Sequence, residues 1–347
     1  MPPAPRRILI GPGKISADLR VLLRRVRLML RKLLLVILLF GAGVADAAES
    51  VSFATDWAAQ AEQGGFYQAL ATGLYEKYGL TVKVRQGGPE TNTMLLLATG
   101  SVDFAMASNG FQIANNLLEK VPIKAVMASF QKDPGVLITH PRDDINNLTD
   151  MRGKPILLAK QNITTLWAWL KSKNGFTDQQ LRPYTSNLAP FLVNPQAIVE
   201  GYLGSEPFQI HKVTNEWPKV FLLADYGYSG YGAMVAVKSD LITAHPAWVR
   251  AFVQASIEGW KSYLYGDPTP GNALIKKMNP EMTDELLAYG RKTLVDHDVI
   301  GKNVDDPAIG SMTDARWKLF RDDMAASGVY PATLPIEAGF DLSFIMK

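Results

Sequence analysis

Residues 51–85 read VSFATDWAAQAEQGGFYQALATGLYEKYGLTVKVR, and their reading decides the fold. "VSFATDW" has the length and apolar character of a buried strand. An amphipathic helix follows over 65–78, and "TVKVRQ" is a second strand. The pattern then repeats. "TNTMLLLATG" is helical, "VDFAMAS" a strand, 111–119 a helix and "IKAVMASF" a strand. Successive β-α units of this spacing imply a mostly parallel sheet flanked by helices. Ligands of such sheets sit beyond the C-terminal strand ends, near helix starts. Trp57, Ser108 and Asn109 fall there.

A second α/β pattern begins after "QKDPGVLITHPRDD". It contains "KPILLAK", a helix over 164–172, a helical "NPQAIVEGYL", a turn at "GSEPF" and "KVFLLADYGY". "YGAMVAVKSDLI" reads as a return crossing. From His245 onward the pattern is helical, over 247–265, 270–278, 283–296 and 313–327, punctuated by Asp267-Pro268, Asn279-Pro280 and Thr283. The expected fold is α/β with two lobes, each a mixed, mostly parallel sheet flanked by helices. Residues 48–134 with 235–347 form the first lobe and 135–234 the second. Two hinge crossings lie near 131–137 and 230–237.

Residues 1–47 have a separate logic. A cationic segment precedes an apolar run of 13 residues, Leu33 to Ala45, and Ala45 and Ala47 form an A-x-A pattern. That is the layout of a cleaved secretory signal, and the run is shorter than the roughly 17–25 residues of a membrane span. The expected location is the periplasm, with Met1 and Met29 both open as the start. Of 36 Lys/Arg and 33 Asp/Glu, nine and two lie in this leader. The remaining 27 basic and 31 acidic groups give a net charge of −4, so no nucleic-acid partner is expected. A chain of 347 residues without a single Cys must rely on its core, and thiol catalysis and thiolate metal sites are excluded.

Other chemistry leaves no mark. G-x-G-x-x-G, G-x-x-x-x-G-K-[ST] and H-E-x-x-H are absent. "GYSGYG" departs from a nucleophile elbow, with Tyr231 where the second Gly belongs. His140, His211, His245 and His297 lack metal-ligand spacing, so neither metal nor cofactor is expected.

The candidate ligand-binding residues are Asp56, Trp57, Gln60, Glu62, Ser108, Asn109, Phe130, Gln161, Asn162, Glu206 and Tyr228. Trp57 is a stacking plate for a flat ring or core filler. Glu206, between Ser205 and Pro207, is a turn carboxylate able to accept from an amine, or a plain surface acid. Ser108 and Asn109 precede a helix, so N-capping explains both; the helix start also offers N–H groups to a ligand. Gln161 and Asn162 have the same double reading. Gln60, Glu62 and Gln63 face the cleft or water, and Gly64-Gly65 permits close backbone approach. Tyr228 is chosen among Tyr226, Tyr228 and Tyr231 near the hinge, and Phe130 meets the ligand or closes the core. Trp167 and Trp169 cannot share one helix face; one belongs to the core and the other near the lobe interface.

Several stretches together resemble the periplasmic solute-binding proteins related to the thiamine-pyrimidine-precursor binders, with cousins for alkanesulfonates, taurine, nitrate and riboflavin. They are "TDW", "GGFYQALATGLYEKYGLTVKV", "LLLATGSVDFAMAS", "SEPF" and "VAVKSDLITAHPAWVRAFVQASIEGW", across residues 50–344. The resemblance implies a type II periplasmic-binding-protein fold whose lobes close on a small solute for an ABC permease of the inner membrane. The protein is then no enzyme, and a monomer is expected. It places Trp57 and Asp56 toward the cleft, gives Gly100, Ser101 and Asp103 a structural turn, and puts Glu206 where pyrimidine binders use a carboxylate. Next to Trp57, "AAQAEQGG" replaces the Pro-Asn-Xaa-His of some pyrimidine binders. Trp, Gln, Asn, Glu and Tyr at the strand ends favour a planar heterocycle of the thiamine-precursor or flavin type. Alkanesulfonate, taurine or nitrate is the alternative. A pyrimidine-synthase-like enzyme of the same superfamily is disfavoured by the missing Cys and the export signal, and a sensory module is a third class.

Overall fold

The computed structural model describes residues 48–88 and 90–345, with isolated positions 24, 27 and 29. Apart from those three, the leader read as a signal peptide lies outside the described residues. No described helix is long and apolar enough to cross a membrane.

The described strands build two five-stranded sheets. In the first, β1 (Glu49–Ala54), β2 (Leu80–Arg85), β3 (Phe104–Asn109) and β4 (Ile123–Phe130) are joined by β10 (Gly232–Lys238), in the order β2-β1-β3-β10-β4. The β-α repeats make β1 parallel to β2 and β3, from Glu49↔Leu80 to Ala54↔Arg85 along the longer pairing. The returning β10 slots antiparallel between β3 and β4. The second sheet holds β5 (Gly135–Thr139), β6 (Ile156–Ala159), β7 (Leu181–Tyr184), β8 (Ile198–Tyr202) and β9 (Lys219–Leu222), ordered β7-β6-β8-β5-β9.

Gly232 already pairs with Asn109 and Phe130. Residues 232–234, read as the end of the second lobe, therefore belong to the first sheet. Residues 194–203, read as helical, contain strand β8. Ile198 and Val199 are fully buried, and a short apolar run buried on both sides carries no period to separate strand from helix. The helix expected over 65–78 is two, Gly64–Ala71 and Leu74–Lys77, interrupted at Gly73 with φ +70°.

The helix Pro246–Tyr265 seals the first sheet. Its Phe252 ring stacks on Phe104 at 4.2 Å and Tyr75 at 5.0 Å, and meets Phe53 edge-on. Such pairs add about 0.5–1.5 kcal/mol each beyond area burial. A Cβ on Gly259 would lie 2.3 Å from the Gly65 carbonyl, so this crossing requires glycine. Two later helices tie the sheets together. From Asp314–Ala326, Asp323 accepts from Trp169 Nε1 at 3.0 Å. From Asp284–Asp296, Tyr289 donates to the Leu203 carbonyl at 3.4 Å. Trp167 and Trp169 are both buried, and Trp169 is the one that reaches across.

Candidate functional site

The loop after β1 is pinned through the Trp57 carbonyl, which accepts from Thr55 Oγ1 at 2.8 Å and Gly87 N at 3.1 Å. The indole of Trp57 is partly buried. A 3-10 turn, Ala61–Gln63, then drives Glu62 and Gln63 inward to 3% and 2% exposure. Gln63 donates to Asp56 Oδ1 at 3.3 Å, and the Ser108 hydroxyl at the end of β3 lies close to the Asp56 carboxyl.

The second sheet answers with carboxylates of its own. Glu200 on β8 accepts from Ala159 N at 2.8 Å and from the Asn162 amide. Glu206 accepts from Tyr202 N at 2.7 Å, and the Tyr184 hydroxyl lies close to it. At the crossing, Asp133 accepts from Gly135 N at 2.8 Å.

Asp56, Glu62, Asp133, Glu200 and Glu206 thus form one acidic seam, in which Glu62, Asp133 and Glu200 are buried and Asp56 and Glu206 half-buried. Glu62 feels the charges of Glu206 and Asp56, and Glu200 those of Glu206 and Asp133. Burial is the leading cause in all five, and it disfavours the charged form. Glu62, Asp133 and Glu200 are each pushed up to about 7, and Asp56 and Glu206 are also raised. Arg316 lies near Asp133, but its guanidinium donates to the carbonyls of Ser229 and Gly230 at 3.0 Å and covers the Tyr231 ring at 4.1 Å.

Four buried oxygens here lack a hydrogen-bond partner among the described residues: Glu62 Oε1, Gln63 Oε1, Asn109 Oδ1 and the Tyr228 hydroxyl. The amide oxygens can only accept, as can an ionised Glu62. Leaving such a group unpaired costs about 1–3 kcal/mol. The arrangement suits a guest that brings N–H donors or positive charge.

The two halves touch at Glu62. A Cβ on Gly204 would lie 2.5 Å from Glu62 Oε1 and 3.3 Å from Gly290 Cα. The gap lined by Gln60, Glu62, Gly204 and Ser205 is too narrow for water.

The structure brings together Asp56, Glu62, Ser108, Asn162 and Glu206 of the expected set, with Gln60 at the seam's edge. Several local readings are corrected. Asn109 occupies the N-cap position of Gly110–Leu118, but its side chain makes no capping bond, and the Ser108 hydroxyl lies beside Asp56. Asn162 closes a 3-10 turn, Lys160–Asn162, and is held by Glu200; the following helix starts only at Leu166. The Gln161 side chain lies outside the described residues. Glu206, read as a turn acid, opens the helix Glu206–Thr214. Phe130 belongs to the core, edge-on to Trp260 at 5.9 Å. The Tyr228 ring packs on Trp169 and Phe111, and only its hydroxyl concerns the seam.

Asp133, Glu200, Tyr184 and Tyr202 escaped the sequence reading. A lone acid inside "IVEGY" was the available signal for Glu200, hidden by reading the segment as helix. Asp133 looked like ordinary turn chemistry in "KDPG".

The NMT1/THI5-like family model matches residues 60–269, more than half of the chain. The riboflavin-binding protein RibY of Chloroflexus aurantiacus is 24% identical over 310 residues, covering 86% of each chain. Among solved structures, the aliphatic sulphonate binding protein SsuA of Escherichia coli superposes with a TM-score of 0.64 at 13% identity, over 84% of this chain and 91% of its own. The desulfurization enzyme DSZB superposes with a TM-score of 0.57 at 10% identity, over 86% and 97%.

Proposed function

The chain belongs to the NMT1/THI5-like family and has the two-lobed periplasmic-binding-protein fold, and from that premise we propose that it is the solute-binding component of an ABC-type importer. It acts outside the cytoplasmic membrane, as a monomer, and delivers its solute to a membrane-embedded permease. The solute is a planar nitrogen heterocycle bearing N–H donors, of the thiamine-pyrimidine class. The observation that carries this reading is the acidic seam with its unpartnered acceptors, built from both halves.

In this reading the halves hinge at 131–134 and 223–231. They separate to admit the ring, since at Glu62 they now touch. Asp56 and Glu62 hold the donors from one side, Glu200 and Glu206 from the other, and Trp57 offers its face to the ring. A guest gripped by both halves favours the shut state, which the permease reads. No bond in the solute changes. DSZB has this fold and is an enzyme, so the fold alone does not decide; the absence of Cys from the sequence supports binding over thiol chemistry.

A flavin is the second reading, favoured by the similarity to RibY. Calorimetric titration with formylaminopyrimidine and riboflavin separates the two. Formylaminopyrimidine is expected to bind the more tightly; tighter riboflavin binding would transfer the assignment to the flavin, and binding of neither would overturn both. In the same assay Trp57→Ala is expected to weaken binding by one to two orders of magnitude, a loss of about 1–3 kcal/mol. Unchanged affinity would remove Trp57 from the site.

A further inference from the structure

A second cavity, of about 790 Å3, lies between β9 with its flanking turns and the helix Asp284–Asp296. That volume falls within the range of roughly 300–1,000 Å3 typical of small-molecule sites. None of the five seam carboxylates lines it. Its walls are aromatic: Trp217, Phe221 and Tyr226 on one side, Tyr289 and His297 on the other. Trp217 stacks on His211 at 4.0 Å and on Tyr289 at 5.5 Å, which fixes the indole, yet it stays 51% exposed. An immobilised, half-exposed indole beside two further rings loses little entropy on accepting a flat guest.

The charges at the rim are unequal. Lys292 is neutralised by Asp296 one helical turn on. Asp225 is exposed and enters no ion pair among the described residues. Lys219, whose Nζ stands 5.9 Å from the centre of the Phe221 ring, is engaged by Asn146 Oδ1 at 2.7 Å, so among the lining residues Asp225 is the charge left to face a cationic guest.

This cavity and the acidic seam share a wall. Leu203 and Tyr289 face the cavity, while their chain neighbours Gly204 and Gly290 face Glu62 and Ala61. Tyr289 donates to the Leu203 carbonyl across this wall. Because the cavity draws on both halves, its occupant senses their separation.

We infer that the cavity is a second ligand site, for a small planar aromatic amine, and that its occupancy alters affinity in the cleft through the shared wall. The site stands on its own geometry; the coupling rests on the cleft reading given above. Coupling between two binding sites is reciprocal.

Tryptamine is the probe, with indole-3-acetate as the same ring carrying the opposite charge. Calorimetry is run on the full chain and on Trp217→Ala, Asp225→Asn and Glu206→Gln. Saturable tryptamine binding is expected, at least tenfold tighter than indole-3-acetate. It should fall at least tenfold in Trp217→Ala and in Asp225→Asn, and stay within threefold in Glu206→Gln. Asp225 is exposed, so its variant keeps the test open if Trp217→Ala misfolds. Any other pattern overturns the site, including no saturable binding, or binding lost only in Glu206→Gln. Saturating tryptamine is further expected to shift the formylaminopyrimidine Kd at least threefold in the parent and not in Trp217→Ala; an unshifted Kd overturns the coupling. Formylaminopyrimidine titrated alone reports on the cleft, so the two readings fail separately.

Discussion

Replacing Glu62 by Gln is expected to raise the melting temperature of the ligand-free protein at pH 8 while weakening formylaminopyrimidine binding roughly 10- to 100-fold. Glu62 is buried, its carboxyl is raised to about 7, and Glu206 and Asp56 add like charge nearby. At pH 8 it is ionised in a place that disfavours charge, and a neutral isostere removes that cost. A gain of about 1–3 kcal/mol corresponds to several degrees in a chain of this size. At pH 5 the carboxyl is already neutral, and the gain should vanish. Binding moves the other way, because a hydrogen bond to a charged acceptor contributes about 1.5–3 kcal/mol. Differential scanning calorimetry at both pH values, paired with a binding titration, checks both signs. A lower melting temperature at both pH values with unchanged affinity would mean that Glu62 is a structural residue.

The parent protein should behave as the sum of such groups. Glu62, Asp133 and Glu200 each titrate near 7 in the folded state, well above the usual carboxylate range. The folded chain therefore holds protons that the unfolded chain gives up between about pH 4 and 7, so their contribution is full below pH 4 and lost as pH rises through 7. A full shift of this size in one carboxyl corresponds to about 3–4 kcal/mol. Ligand-free melting temperature is accordingly expected to fall between pH 5 and pH 8. Saturation with a donor-bearing solute, which favours the ionised carboxylates, should flatten or reverse that fall. A melting temperature that rises across the interval without ligand would contradict the buried seam.

Both predictions depend on a cluster that no linear motif announces. Strand and helix periodicity along 51–130 made the β-α order of the first sheet legible, and the break at residues 131–137 announced the second. Periodicity works there because each element buries one face. It failed at β8, where burial on both sides erased the period, and with it went Glu200. The polar residues at strand ends were legible as a set, yet their partners were not. Ser108 and Asn109 looked like helix caps because capping is a local interaction; in the folded chain Ser108 lies beside Asp56, 52 residues away in sequence, and Asn109 keeps its oxygen unpaired. Glu206 was singled out from its place in "GSEPF", while its company of Glu62, Asp133 and Glu200 exists only once the two sheets meet.

The central claim is that this seam selects donors over anions. Calorimetry at pH 7.5 with formylaminopyrimidine, taurine and nitrate tests it most directly. Saturable binding of the heterocycle, with no heat from either anion, is the predicted result. Binding of taurine or nitrate with formylaminopyrimidine silent would contradict it, since five clustered carboxyls, three of them buried, cannot hold a compact anion without a cation to face it.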